Sequence, residues 1–289
     1  DLPKIRKHLG KKGQSLVTSK NDTVIKVHLH TLNPGEVLKY ALKFGELHEI
    51  KIDNMDDQYA EFIKKQRERI PRVNTALVTV VSGEGFFKIF SGLGAIVVPG
   101  GQTMNPSVKE ILQAVEAAPS DNVIILPNNK NIVLSASEVH PLSSKKVEML
   151  PTTTIPQGIA AALAFNSDAD LPQNTKFMNE AIKMVKSIKV TRAVRNAKLK
   201  GLKLKKGHPI AILDGEKLLT SDKNLSNVIS TALTEAEGEK AEVITVYYGD
   251  NTDAFEAGRL AQEIENKYRA SVELTYGGQL HCDYIISLE

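Results

Sequence analysis

Four unbroken apolar runs, Ala76 to Val81, Ala95 to Val98, Val123 to Leu126 and Val147 to Leu150, constrain this chain most. Helix-patterned segments separate them. Strands without polar alternation are buried on both faces, and helical crossovers join parallel neighbours, so the pattern predicts a parallel sheet covered on both sides. From Ile155 to about Lys186 the pattern is helical, with a break near Asp168 to Pro172. A second α/β section follows, with strands at Ile188 to Val194, Ile210 to Leu213, Val243 to Tyr248, Ser271 to Tyr276 and Asp283 to Leu288. Helices at Asn224 to Ala236 and Asp253 to Tyr268 lie between them.

Open α/β sheets bind ligands beyond the carboxyl ends of their strands. Two polar loops fall there. Pro99-Gly100-Gly101-Gln102-Thr103-Met104-Asn105-Pro106-Ser107 joins a strand to an amphipathic helix beginning at Val108, and Asn128-Asn129-Lys130-Asn131 follows the third run. Free backbone N–H groups, short polar side chains and a positive helix terminus can hold a carboxylate or a phosphate. The same features also make a well-capped turn. Thr103, Asn105, Ser107, Asn128 and Asn129 are therefore the candidate ligand-binding residues. Thr152, Thr153 and Thr154 add polarity without a catalytic set, and no residue is assigned a catalytic role.

Residues 15–54 read as a small α/β layer. Ser15 to Ser19 and Thr23 to Leu29 flank the turn Lys20-Asn21-Asp22, and a helix from Glu36 to Phe44 has Asn33 as its cap and Pro34 in its first turn. His48 to Ile52 is predicted to return as a strand. A charged linker helix, Asp56 to Ile70, ends at Pro71. The predicted organisation is thus α/β throughout: a small, partial α/β domain at 1–55, the linker at 56–71, and a two-lobed domain with parallel and mixed sheets at 72–289, its lobes about 72–152 and 153–289.

Three further features carry two readings each. His28 and His30, two apart on a strand, project from one face and can begin a zinc or copper site, or can be ordinary sheet-surface histidines. Gly83-Glu84-Gly85 opens a helix after a strand, but lacks the third glycine and the distal acidic residue of a dinucleotide fingerprint, which leaves a topological crossover as the other reading. Lys189 to Lys206 alternates basic and apolar residues as a hairpin with one basic face would; that face meets solvent, an acidic protein surface or lipid headgroups.

Composition narrows the partners. Net charge is +3 with 37 Lys and Arg against 34 Asp and Glu, too mild to argue for nucleic acid. There is no tryptophan and aromatics make up 5%, which disfavours base-stacking platforms. The single cysteine, Cys282, excludes an internal disulfide framework and fits a reducing, cytoplasmic setting. No apolar run reaches the roughly 20 residues of a transmembrane helix. The start at Asp1, already in mid-pattern, predicts a piece of a longer polypeptide.

Order and spacing of the motifs carry a resemblance. Gly92-Leu93-Gly94-Ala95 through Gly100-Gly101-Gln102-Thr103-Met104-Asn105-Pro106-Ser107, then Leu126-Pro127-Asn128-Asn129-Lys130-Asn131, then Pro151-Thr152-Thr153-Thr154-Ile155-Pro156-Gln157-Gly158, resembles the A-type subunit of bacterial fatty acid kinase. Val27-His28-Leu29-His30-Thr31 and Tyr284-Ile285-Ile286-Ser287 fit as well. The resemblance implies a dihydroxyacetone-kinase-like ATP domain outside this chain, which would bind ATP and magnesium, then part of a middle domain and a DegV-like C-terminal domain. It implies zinc held in the middle domain by a cysteine and two histidines. His28 and His30 match those histidines, and the cysteine would precede Asp1.

The related fatty-acid-binding subunits hold the carboxylate with a Thr-Ser-Gln-Pro-Ser type segment. Here Thr103, Pro106 and Ser107 are kept while Met104 and Asn105 depart, which implies a vestigial carboxylate site. The function implied is a non-catalytic region that docks the fatty-acid-binding partner subunit so that the absent domain can phosphorylate the acid. The alternative is that this domain itself binds a fatty acid or similar small anion. A homodimer through the middle domain is also implied.

Overall fold

The computed structural model describes residues 2–100, 105–199 and 201–289. The chain divides into two compact units, Asp1–Gln58 and Tyr59–Glu289.

In the first unit, helix α1 (Leu2–Leu9) buries Ile5 and Leu9 beside an antiparallel ribbon, β1 (Gln14–Asn21) and β2 (Val24–His30). Helix α2 (Pro34–Ala41) starts where Asn33 accepts a hydrogen bond from the Glu36 N–H at 3.3 Å, with proline in its first turn. The predicted strand at His48 to Ile52 does not form. Glu49 sits at φ 52°, in the left-handed region, which turns the chain out of an extended run and leaves Ile50 and Ile52 exposed. Helix α1, conversely, is not among the elements that the sequence pattern predicts.

In the second unit, which takes in helix α3 (Met55–Arg67) from Tyr59 onward, that helix leads into a four-stranded parallel sheet. Its strands β3 (Ala76–Val81), β4 (Ile96–Pro99), β5 (Asn122–Leu126) and β6 (Lys146–Met149) lie in the order β4-β3-β5-β6. Helices α4 (Glu84–Gly92), α5 (Val108–Ala117) and α6 (Lys130–Ser137) make the crossovers. Alternation assigns each strand residue to a face. Val78, Val80, Ile96, Val98 and Ile125 join one core with Ile63 of α3, whereas Leu77, Val81, Val97, Ile124 and Leu126 join another.

Helices α7 (Ile155–Leu163) and α8 (Leu171–Met184) connect to a six-stranded mixed sheet. It contains β7 (Lys186–Arg192), β10 (Pro209–Leu213), β11 (Lys217–Ser221), β12 (Val243–Tyr248), β13 (Ser271–Tyr276) and β14 (Tyr284–Leu288), ordered β11-β10-β7-β14-β12-β13. Only β12 and β13 run parallel in its ladders. Helices α9 (Leu225–Glu235) and α10 (Ala254–Lys267) cover one face through Ile188, Val190, Ile244, Val246 and Ile286. The other face gives Tyr247 and Ile285 to the core shared with α4, α7 and α8, so one middle layer joins the two sheets. The expected hairpin over Lys189 to Lys206 is shorter: Lys186–Arg192 joins the large sheet, and only β8 (Ala197–Leu199) and β9 (Leu202–Leu204) form a separate ribbon.

An edge strand must satisfy or screen its free backbone groups. On β4 this falls to Gln66, whose buried amide donates to the Val97 carbonyl and accepts from the Val97 N–H, both at 2.9 Å. The side chain thus pairs with the edge as a neighbouring strand would. Gln66→Ala is expected to cost about 2 kcal/mol, because it leaves two buried backbone groups unpaired; denaturant unfolding measures it.

Candidate functional site

The carboxyl edge of the parallel sheet gathers the loops after β3, β4, β5 and β6. At its centre Asn128 is buried and left-handed, with φ 56°. Its side-chain NH2 donates to Thr79 Oγ1 at 2.8 Å and to the Val80 carbonyl at 3.1 Å. Its side-chain carbonyl accepts from the Thr152 hydroxyl at 2.8 Å, and its backbone N–H donates to that same hydroxyl at 3.0 Å. Gly158 seats against it: a Cβ there would lie 2.0 Å from Asn128 Oδ1. Every polar atom of the Asn128 side chain is therefore committed to neighbouring loops. Asn129 caps α6, its side-chain oxygen accepting from the Asn131 N–H at 3.0 Å.

Ser107 caps α5. Its N–H and hydroxyl both donate to Glu110 Oε2 at 2.7 Å, while its Oγ accepts from the Glu110 N–H at 3.2 Å. This capping box places a carboxylate of the chain itself on the Ser107 N–H and hydroxyl, at the helix start where an external anion would bind. Asn105 is exposed, and Thr103 lies outside the described residues. Gly100 lets this loop close, since a Cβ there would stand 2.5 Å from Pro106 Cδ and 2.8 Å from Val80 Cγ1. Glu110→Ala is expected to cost about 1 kcal/mol by removing one half of the box, read from chemical unfolding.

The glycines of Gly83-Glu84-Gly85 serve contact between the lobes. A Cβ on Gly85 would fall 1.8 Å from the Tyr276 carbonyl oxygen, and one on Gly83 would fall 2.3 Å from that of Gly277. The Phe86 N–H donates to the Gly277 carbonyl at 3.3 Å. Below this contact, Phe86 and Tyr247 meet with ring centroids 5.1 Å apart, and Phe90, Met178, Cys282 and Ile285 complete the fill. Further along, the Gly215 turn approaches the carbonyl of Thr153 and the methyl of Thr154. Side chains thus occupy the middle layer between the sheets. Two concavities of about 430 and about 210 Å³ lie at the opposite, amino edge of the parallel sheet, against Asn74 and Thr75 respectively. Neither is lined by Asn105, Ser107, Asn128 or Asn129.

Cys282 and Lys189 bring titratable groups to this middle layer, beside the phenol of Tyr247. The Cys282 sulfur lies 3.0 and 2.9 Å from the carbonyl oxygens of Val190 and Tyr284, which share its single S–H donor, and burial pushes its pKa up to about 12. It is expected to resist thiol reagents in the folded chain and to react fully in denaturant, because the thiolate is the nucleophile; a timed labelling assay checks this. Lys189 is the residue that sequence reasoning misplaced. The alternating pattern put it in a hairpin with one basic face, whereas it lies on β7 opposite Ile285, on the strand face turned towards the layer. Burial lowers its pKa from the ordinary lysine range; Cys282 opposes that shift and Lys130, in the first turn of α6, adds to it.

In the first unit, His28 and His30 lie on one face of β2 with their Nε2 atoms 3.1 Å apart. Two zinc-bound imidazole nitrogens would be about 3.3 Å apart for bonds near 2.0 Å in tetrahedral geometry, so this pair fits two ligand positions. No group of three or more His, Cys, Asp or Glu suited to a metal occurs among the described residues. No helix among them is long and apolar enough to cross a membrane.

Known proteins resemble this chain. Residues 76–289 match the C-terminal domain model of the FakA-like family, the A-type subunits of fatty acid kinase, and residues 1–62 match the middle-domain model of the same family. Protein YloV of Bacillus subtilis is 38% identical over 294 residues, covering 98% of this chain and 53% of YloV. A Staphylococcus epidermidis relative is 33% identical over 299 residues, with 100% of this chain and 54% of the relative covered. The chain therefore spans about half the length of these relatives.

Among solved structures, a Thermus thermophilus DegV-family protein described as binding fatty acid aligns at TM-score 0.53 and 13% identity, over 75% of this chain and 99% of its own. The dihydroxyacetone kinase of C. freundii aligns at TM-score 0.56 and 14% identity, over 84% of this chain and 57% of its own. At such identities the likeness is one of fold. The layered α/β architecture and the two family matches, which together leave only residues 63–75 unmatched, lead to one conclusion: this chain belongs to the FakA-like family of fatty acid kinase proteins.

Proposed function

We propose that this chain is a non-catalytic region of a fatty acid kinase that docks a fatty-acid-carrying partner subunit, so that an ATP-binding domain of the longer protein can phosphorylate the acid. The observation that carries this reading is the side-chain packing of the middle layer. Phe86, Phe90, Met178, Tyr247 and Ile285 pack together between the sheets, and the Glu110 carboxylate accepts from the Ser107 N–H and hydroxyl at the start of α5. A domain of this fold that carries no cargo of its own is suited to receive a partner that does. Immobilised chain is expected to retain the acyl-loaded partner at micromolar concentration; failure to retain it refutes the reading.

The second reading, that the domain itself binds a fatty acid or similar anion, is favoured by the kept Pro106 and Ser107 at the α5 terminus and by the fatty-acid-binding description of the Thermus relative. Mass spectrometry of lipid extracted from purified chain separates the two, since a stoichiometric fatty acid would establish cargo binding.

The first unit is read as a zinc-dependent assembly module. His28 and His30 would supply two nitrogen ligands to the metal, and exposed Val17, Val24 and Ile50 would supply apolar surface for a homodimer. Elemental analysis of the longer protein is expected to show stoichiometric zinc that His28→Ala abolishes.

A further inference from the structure

We propose that the β8–β9 ribbon is an electrostatic foot that rests on anionic lipid headgroups. Charge is unevenly distributed along the chain. Residues 181–213 hold ten of the 37 Lys and Arg residues and none of the 34 Asp and Glu residues, so the rest of the chain carries a net charge of −7. A modest overall charge of +3 therefore conceals one strongly basic segment.

The fold gathers part of that segment on the β8–β9 ribbon. Leu202 and Leu204 pack against Ala193, Ile210 and Leu218, which fixes one face of the ribbon to the large sheet. Lys198 and Lys203 are cross-strand partners on the opposite face. Like charges placed directly opposite one another are unfavourable in an isolated ribbon. Arg195, Lys205 and Lys206 flank the pair, and all five are exposed without a carboxylate in ion-pair reach among the described residues. By contrast, Lys186 and Arg192 are paired with Glu237 and Asp283.

Two features favour a lipid surface over an acidic protein. Four of the five uncommitted cations are lysines, compact charges on flexible stems, which suit a diffuse anionic layer better than a defined carboxylate geometry. Val194 stands 84% exposed beside Arg195, which supplies apolar contact at the headgroup boundary. Basic clusters of this size draw proteins to anionic leaflets, within a Debye length of the surface.

The test is flotation of the whole chain with vesicles of phosphatidylcholine alone, or with roughly a third phosphatidylglycerol, at about 50 and about 300 mM salt. The expected result is at least about tenfold more bound chain on the anionic vesicles at low salt, lost at high salt. The triple variant Lys198→Ser/Lys203→Ser/Lys205→Ser should abolish it while keeping the wild-type unfolding midpoint. Equal binding to both vesicle types, no binding to either, or undiminished binding by the folded variant overturns the proposal. So does a chain that ignores vesicles and is captured only by an acidic protein.

Discussion

Gly85→Ala is expected to lower the stability of the second unit by about 3 kcal/mol, in spite of a helix propensity that favours alanine by about 1 kcal/mol. The opposing force is steric. The added Cβ would lie 1.8 Å from the Tyr276 carbonyl oxygen and 2.6 Å from its carbon, and both belong to backbone that cannot rotate away as a side chain can. Either α4 or the turn after β13 must move, and the contact between the lobes moves with it. Gly92, at the other end of the same helix, has nothing within 4 Å of a built Cβ, so Gly92→Ala should be neutral or slightly stabilising. Unfolding in denaturant compares the two. Amide exchange at Gly277 and Gly278, which donate to the Tyr248 carbonyl, should quicken in the first variant alone.

Asn128→Ala is expected to cost about 4 kcal/mol. It removes two donated hydrogen bonds and one accepted bond in a buried setting, leaving Thr79 Oγ1, the Val80 carbonyl and the Thr152 hydroxyl short of partners. It also places a Cβ residue without asparagine's local compensation at φ 56°. Asn128→Gly separates the two effects, because glycine accepts that backbone conformation freely. The glycine variant should recover about 1 kcal/mol of the loss and no more. Recovery of most of it would mean that strain, rather than the hydrogen-bond network, makes asparagine necessary there.

These two positions show what was legible in the sequence. The strands Ala76–Val81, Val243–Tyr248 and Ser271–Tyr276 form at the residues expected, because unbroken or aromatic-rich apolar runs between helices leave little alternative. Asn33 was readable as a cap because capping is local, whereas Ser107 and Asn129, ligand-binding candidates in the sequence, are the caps of α5 and α6. Gly83-Glu84-Gly85 was not readable as a close approach, since its partners at Tyr276 and Gly277 are distant in sequence and only the fold brings them together. Lys217–Ser221 was missed as a strand because its short, partly polar run gains its place by pairing with β10. Lys189 escaped for a related reason: alternation reveals that a strand has two faces, but not that α7 and a second sheet cover the one bearing the lysine. At the carboxyl edge, sequence placed Asn128 among ligand-binding candidates, and the structure shows its side chain fully engaged with Thr79, Val80 and Thr152.

Whether this region receives a loaded partner and carries no acid itself is decided most directly by calorimetric titration, which puts both halves in one experiment. Free fatty acid below its micelle concentration, then the acyl-loaded partner subunit, are injected into the same chain. Saturable heat for the loaded partner and none for the free acid is the expected result. Saturable heat for the free acid, with none for the loaded partner, would contradict it.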